Sequence, residues 1–339
     1  MAIDLTGGMD ASEDHFFAER PDDPEMRESA SFWVSDDAGE IGLPRVGIEA
    51  LAETWDKRDF QLNLGFADGR AVIVRGSGEG RSPVDDDGVC RTFEAGGLSF
   101  RHVKEFDTLT MTYEGSAADT TFDAMVAGEP ARGEVQLQVE VEMKCALPPW
   151  ISGTLVADAV EQFHEGFAGA YISPRYEQLC TSRGTVRVGA EEHSFTGTGL
   201  RIHRQGRRDT GGFWGHAWPS ALFPSGRGFG ALAFPEREGE PTFNEGFVYR
   251  GEQMIPATLV DAPWIRRLQG RGEDAGLTLR TVDGEDVRIE GETLFTNTYP
   301  GGNSQFAPAL QQAGARYTWD GEEGYGMLER SMPVEKLER

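Results

Sequence analysis

The chain has 339 residues, 57 Asp plus Glu against 32 Lys plus Arg, and a formal charge of −25. Such an acidic surface opposes phosphate backbones and anionic lipid headgroups, so nucleic-acid partners are not expected. Hydrophobic residues at 38% and aromatics at 10% are too abundant for disorder and sufficient for a packed core.

The start of the chain carries Asp4, Asp10, Glu13 and Asp14 without the basic and apolar blocks of a secretory leader. No stretch approaches the roughly 18 consecutive apolar residues that span a bilayer, so no membrane insertion and a cytoplasmic location are predicted. Cys90, Cys145 and Cys180 are odd in number and widely spaced, as reduced thiols would be.

In chain order, short β-rich segments cover 61–66, 71–75, 108–113 and 135–143. They resume over 184–188, 228–234, 277–282 and 287–290. Asp68-Gly69, Asp87-Gly88, Ser225-Gly226, Asp283-Gly284 and Asp320-Gly321 supply tight turns between them. Segment 135–143 alternates strictly between apolar and polar, which predicts a strand with one face in a core and one in water. Between the two groups, Leu155, Val156, Ala159, Val160, Phe163, Phe167 and Ala170 recur at helical spacing, with Ser152 as the expected N-cap. The predicted fold is all-β: two barrel- or sandwich-like units, residues 1–147 and 172–339, joined by a helical linker over 148–171.

The stretch 199–218 concentrates His203, Gln205, Arg207, Arg208, Asp209, Trp214, His216 and Trp218. Its Thr210-Gly211-Gly212 break predicts a hairpin. An even loop would put His203, Gln205, Arg207 and Asp209 on the face of Trp214, His216 and Trp218; an odd loop would scatter them. Such a face combines proton donors with aromatic walls, although a buried structural network uses the same residue types.

The run Arg175-Tyr176-Glu177-Gln178, the pair Gly184-Thr185, and Gly197-Thr-Gly199 leading into His203-x-x-Gly206-x-Arg208-Asp209 resemble the hydroxyneurosporene synthase superfamily, which includes carotenoid 1,2-hydratases. The ending from Tyr317 through Glu329 is similar to bacterial members of that group. The resemblance covers 172–339 and implies paired lipocalin-like barrels around a pocket for a hydrophobic, often isoprenoid, ligand. It assigns the motif's His and Asp to His203 and Asp209, and its Tyr-Glu-Gln segment to Tyr176, Glu177 and Gln178. Many relatives carry Trp where Gln205 stands.

Protonating an alkene requires a neutral acid, and desolvation in an apolar pocket raises a carboxyl pKa enough to supply one. Asp209 and Glu177 are the two candidates. Arginines 207 and 208 favour the ionised form of Asp209, so if both point inward Glu177 is the better acid and Asp209 orients His203. Tyr176, Trp214 and Trp218 offer ring faces to a cation, and Gln205, Arg208 and His216 complete the expected substrate contacts.

No cofactor is implied. His203, Asp209 and His216 lack metal-ligand spacing, Asp85-Asp86-Asp87-Gly88 lacks the calcium-loop pattern, and Gly76-Ser-Gly78 is not followed by the phosphate-loop Lys. Cys180 reads as an inert buried thiol, and Asn297 to Asn303 as a turn at a barrel mouth. Three functions remain: a hydratase, cyclase or isomerase acting on an unsaturated hydrophobic substrate, a carrier of a lipid or terpenoid, and an interaction domain without a pocket.

Overall fold

The computed structural model describes residues 3–166, 168–209, 211–237, 239, 242–299 and 308–338. The mouth loop expected at 297–303 therefore lies mostly outside the described residues, as do Phe167 of the apolar stripe and Thr210 of the expected hairpin.

The first group of strands comprises β1 (Met26–Asp36), β2 (Ile41–Leu51), β3 (Lys57–Phe66), β4 (Arg70–Glu79), β5 (Thr92–Ala95), β6 (Leu98–Lys104), β7 (Thr108–Thr121) and β8 (Gly133–Cys145), with the short helix α1 (Phe122–Ala127) between the last two. Short β9 (Trp150–Ile151) and helices α2 (Ala157–His164) and α3 (Ala168–Ile172) follow, then the long strands β10 (Arg175–Val188) and β11 (Glu191–Arg207). The rest is β12 (His216–Leu222), β13 (Gly228–Ala233), β14 (Asn244–Arg250), β15 (Gln253–Asp261), β16 (Leu277–Thr281), β17 (Asp286–Tyr299), β18 (Ala309–Trp319) and β19 (Glu322–Met332).

The all-β expectation holds. β12 to β19 form a closed antiparallel barrel in chain order. The other strands run β4-β3-β2-β1-β11-β10-β8-β7, and the sheet returns on itself where Arg70 to Ile73 of β4 pair with β7. Strand β8 shows the expected alternation: Leu137, Val139, Val141 and Met143 point into the first core while the residues between them are wetter.

The unit boundaries differ from those expected. β10 and β11, assigned by sequence to the second half, complete the first ring by pairing with β8 and β1. Without them β1 and β8 would each expose an unpaired edge, and the two long strands fill that gap. The segment before β10 is accordingly an excursion from the first barrel rather than a link between barrels. It lies against the second barrel, where Leu147, Trp150, Ala159, Tyr171 and Ile172 join Trp218, Phe234, Phe243 and Phe247 in one core cluster.

The helical stripe forms two short helices, and Ser152 is not their cap. The Glu245 carboxylate, reaching from β14, accepts the amides of Gly153 at 2.6 Å, Leu155 at 2.7 Å and Val156 at 3.1 Å, and the Trp150 indole N–H at 3.1 Å. An anion from the partner barrel thus satisfies the free amides ahead of α2.

The barrels are also pinned directly. Ser35 Oγ donates to the Gly326 carbonyl at 2.9 Å, and Thr198 Oγ1 donates to that of Tyr325 at 2.7 Å. Phe295 of β17 fills a slot between Gly42 and Gly314, where an added Cβ on either glycine would lie 2.1 Å from the ring. A cavity remains beside these contacts.

Candidate functional site

The cavity measures about 280 Å³ and has two chemically distinct walls. Arg45, Arg175, Arg204 and Arg208 come from the first barrel and its β11 exit; Tyr171, Phe213, Trp218 and Phe234 face them. His216, Gln312 and Glu329 form the floor contributed by the second barrel.

Strand alternation sets the first wall. On β10, Arg175 and Glu177 point toward the second barrel while Tyr176 points into the first; on β11, Arg204 shares the outward face and His203 the inward one. Arg45 arrives differently. Pro44 has no N–H to give a ladder, and the β2–β3 register shifts between Gly42 and Val46. This bulge holds Arg45 at φ 84°, a left-handed conformation rare for a long side chain, and turns it toward the cavity.

The arginines are held to different degrees. Arg204 donates from Nε to the Ile172 carbonyl at 3.1 Å and from Nη1 to Ser29 Oγ at 3.0 Å. Arg208 donates from Nε to the Tyr171 carbonyl at 2.9 Å. Arg175 lies 2.7 Å from Glu177 and stacks 4.6 Å over the Trp218 ring. Burial and like-charged neighbours make protons costly here: the Arg208 guanidinium is pushed down to about 10 by burial, Arg45 and Arg175 against the pull of Glu49, and Arg204 falls well below its ordinary value by burial, Arg208 and Arg175.

On the floor, His216 Nε2 is 3.1 Å from Glu329 Oε1 and its Nδ1 is 2.7 Å from Ser331 Oγ. Gln312 donates to the other Glu329 oxygen at 2.7 Å. Burial works to raise the Glu329 carboxyl, but the His216 hydrogen bond and Arg45 prevail and bring it down to about 2. Glu329 is therefore an anion at neutral pH. Glu177 shows the opposite balance, with burial pushing its carboxyl up against the pull of Arg175 and the 2.9 Å bond from the Trp218 indole.

Residues 12–334 match the family model described as Domain of unknown function (DUF7064). The chain belongs to that family. No curated protein matches it. Among solved structures, a putative AttH (NE1406) from Nitrosomonas europaea is similar at 12% identity over 90% of this chain and 91% of its own, with a TM-score of 0.56. CghA with Sch210972 is similar at 10% identity over 91% and 89%, with a TM-score of 0.51. Kievitone hydratase from Nectria haematococca gives 11% identity over 94% and 93%, with a TM-score of 0.49. The AttH-like likeness extends over both barrels, so the lipocalin-like two-barrel architecture implied by the sequence holds for this DUF7064 chain as a fold.

The expected site residues are divided by the sheet. The hairpin across 210–212 does not form: β11 stays in the first barrel, β12 belongs to the second, and the chain crosses between them. Trp218, His216 and Arg208 line the cavity; Glu177 sits behind Trp218 and Arg175. Trp214 packs beside Tyr171 and Phe234 and donates to the Pro235 carbonyl at 2.8 Å. Asp209 is exposed, its carboxylate accepting the Gly211 amide at 2.7 Å within its own turn, so the structure does not join it to His203. Arg207 is exposed and paired with Asp23.

Tyr176, His203 and Gln205 instead enter the first barrel. There the His203 ring lies 3.2 Å from both the Tyr176 hydroxyl and Glu28, and Gln205 donates to Glu28 at 2.8 Å. Tyr176 also donates to Asp14, which accepts from Arg201 at 2.7 Å. Burial works to raise the Asp14 carboxyl, but Arg201 and His102 hold it well below the ordinary range, and burial brings His102 down to about 3. This cluster fills the barrel interior and ties the segment before β1 into it.

Arg175 and Glu329 stand in the sequence motifs without a site role, and Arg45, Arg204, Tyr171, Phe234 and Gln312 carry no sequence signal of their own for one. Among the described residues no cluster of three or more His, Cys, Asp or Glu could hold a metal ion, and no helix is long and apolar enough to cross a membrane.

Proposed function

We propose that this DUF7064 protein is an enzyme of the hydratase, cyclase or isomerase type that holds an unsaturated small molecule in the interbarrel cavity. The observation that carries the reading is the His216–Glu329 pair opening onto a space walled by arginines and aromatic rings. An ionised carboxylate that fixes an imidazole is a recurrent way of preparing a proton relay. The aromatic wall confines and orients the carbon skeleton.

The electrostatics select the direction of charge development. A carbocation formed by protonating an isolated alkene would sit beside four guanidinium groups, which oppose it. Negative charge developing on an oxygen conjugated with the double bond would be stabilised by the same groups. The favoured reaction is therefore addition, ring closure or double-bond migration in a substrate activated by a carbonyl or carboxyl group, with His216 moving the proton. Glu177 acts as a positioning residue through Trp218 and Arg175.

A carrier role is the second reading, favoured by one observation: both ring nitrogens of His216 already have protein partners. Purified protein incubated with a panel of conjugated unsaturated carbonyl compounds separates the two by mass spectrometry. Conversion that is lost in His216→Ala and Glu329→Gln supports the enzyme. A panel compound retained and recovered unchanged supports carriage, and conversion equal in all three proteins removes this site from the chemistry.

A further inference from the structure

We propose that the interbarrel cavity selects an organic anion, a carboxylate attached to an apolar or aromatic body, with the charged end on Arg45 and Arg208 and the body against Tyr171, Trp218 and Phe234. This rests on the reading of that cavity as the functional site, and it names the substrate class.

Charge is the first ground. Among the described residues, four arginines line the cavity and Glu329 is the single carboxylate in that lining. Two further carboxylates stand behind the wall, Glu177 paired with Arg175 and Glu49 paired with Arg27 at 2.6 Å. The positive excess is local, in a chain whose formal charge is −25. Burial and mutual repulsion among these guanidinium groups make the wall costly unless an anion compensates it.

Spare hydrogen-bonding capacity is the second ground. Arg45 Nε is buried without a partner, and among the described residues its guanidinium takes part in no ion pair. Arg175 Nε and Nη2 likewise have no partner in hydrogen-bond geometry, although Nη2 lies close to Glu177. Among the described residues Arg208 commits only Nε, to a neutral carbonyl. Buried donors of this kind are ordinarily satisfied, and a planar carboxylate accepts two parallel bonds from each guanidinium fork.

Backbone geometry is the third. Holding a non-glycine residue at positive φ costs free energy, and such strain persists where the surrounding structure enforces it, often at functional positions. At Arg45 the strained residue is one whose charged side chain lines the cavity. A second, more open depression of about 540 Å³ shares Arg45, Gln61 and Tyr299 with the cavity, which places the charged end toward the entrance and the aromatic wall beyond it.

Isothermal calorimetry on the intact chain tests this with three probes: trans-cinnamate, its methyl ester and inorganic phosphate. Cinnamate should bind, the ester should bind about tenfold more weakly or worse, and phosphate should bind more weakly than cinnamate because it lacks a body for the rings. Arg45→Met should weaken cinnamate by about tenfold; Arg208→Met, at a half-buried position, should do the same if the first variant folds poorly. Equal binding of acid and ester overturns anion selection and leaves the enzyme reading standing. Phosphate binding as tightly as cinnamate overturns the role of the aromatic wall. Absence of binding by all three probes overturns the proposal. Anion binding with no conversion of any unsaturated acid supports this inference while counting against the enzyme.

Discussion

His216 and Glu329 meet diagonally across the β12–β19 pairing, 3.1 Å apart, at the seam where the second barrel faces the arginines of the first. Neither barrel alone makes this environment. The second supplies a carboxylate and the imidazole whose hydrogen bond favours its ionised form, and the first adds Arg45 to the same effect. The excursion between β8 and β10 adds Tyr171 to the opposite wall. The site is therefore a property of the interface, and its chemistry depends on how firmly the barrels are joined.

Replacing Glu329 with Gln removes the anion while keeping the shape. Turnover should fall by about a hundredfold or more, as when an orienting carboxylate is lost from a proton relay. The pH dependence gives a separate reading. The folded-state value of about 2 lies below the ordinary carboxylate value, so the stabilisation is fully present above the unfolded value and is lost as pH falls from about 4 to about 2. Thermal unfolding of wild type and Glu329→Gln should differ by on the order of 3 kcal/mol near neutral pH and converge at about pH 2. A difference that stays constant down to that pH contradicts the assignment.

Much of the architecture is legible in the sequence because alternation and turns are local signals. Strand β8 reads directly from 135–143, and the all-β class follows from many such segments. The site is less legible for two physical reasons. Adjacent residues on a strand face opposite ways, so Tyr176 and Glu177, or His203 and Arg204, serve different compartments although they share one motif. A glycine-rich break also looks alike whether it closes a hairpin or carries the chain to another barrel, which is why the 203–218 cluster could be read as one face on an even hairpin loop and is divided between two barrels. Pro44 inside an otherwise regular strand was the available sign of the bulge that presents Arg45.

Gly42 tests the seam. A Cβ there would lie 2.1 Å from the Phe295 ring and 2.7 Å from the Val34 carbonyl. Gly42→Ala should therefore destabilise by about 1–3 kcal/mol, the usual range for overpacking, and reduce conversion by widening the seam. Pairing it with Phe295→Leu should recover part of the loss in a double-mutant cycle. Additive effects would show that the two positions do not meet.

Asp209→Asn is the contrasting change. The side chain is exposed and, among the described residues, bonds only within its own turn, and Asn can accept the same Gly211 amide. Stability should change by less than about 0.5 kcal/mol and conversion should remain at the wild-type rate. Loss of conversion in a folded Asp209→Asn protein would return this residue to the reaction.

Glu245 tests whether the excursion that carries Tyr171 is anchored by the second barrel. Its carboxylate accepts from the Trp150 indole and from three backbone amides, with no lysine or arginine among the described residues in hydrogen-bond contact. Glu245→Ala would leave four buried or half-buried donors unsatisfied, at a cost of about 1–3 kcal/mol for each one that water does not reach. Glu245→Gln keeps one carbonyl acceptor and turns an amide donor toward other donors, so it should recover only a small part of the loss. Hydrogen exchange is the decisive measurement. The amides of Gly153, Leu155 and Val156 should lose protection in both variants while those of β8 keep theirs, and the cavity should bind its ligand more weakly as Tyr171 loosens. Unchanged protection at these three amides would mean that the excursion holds its conformation without the second barrel.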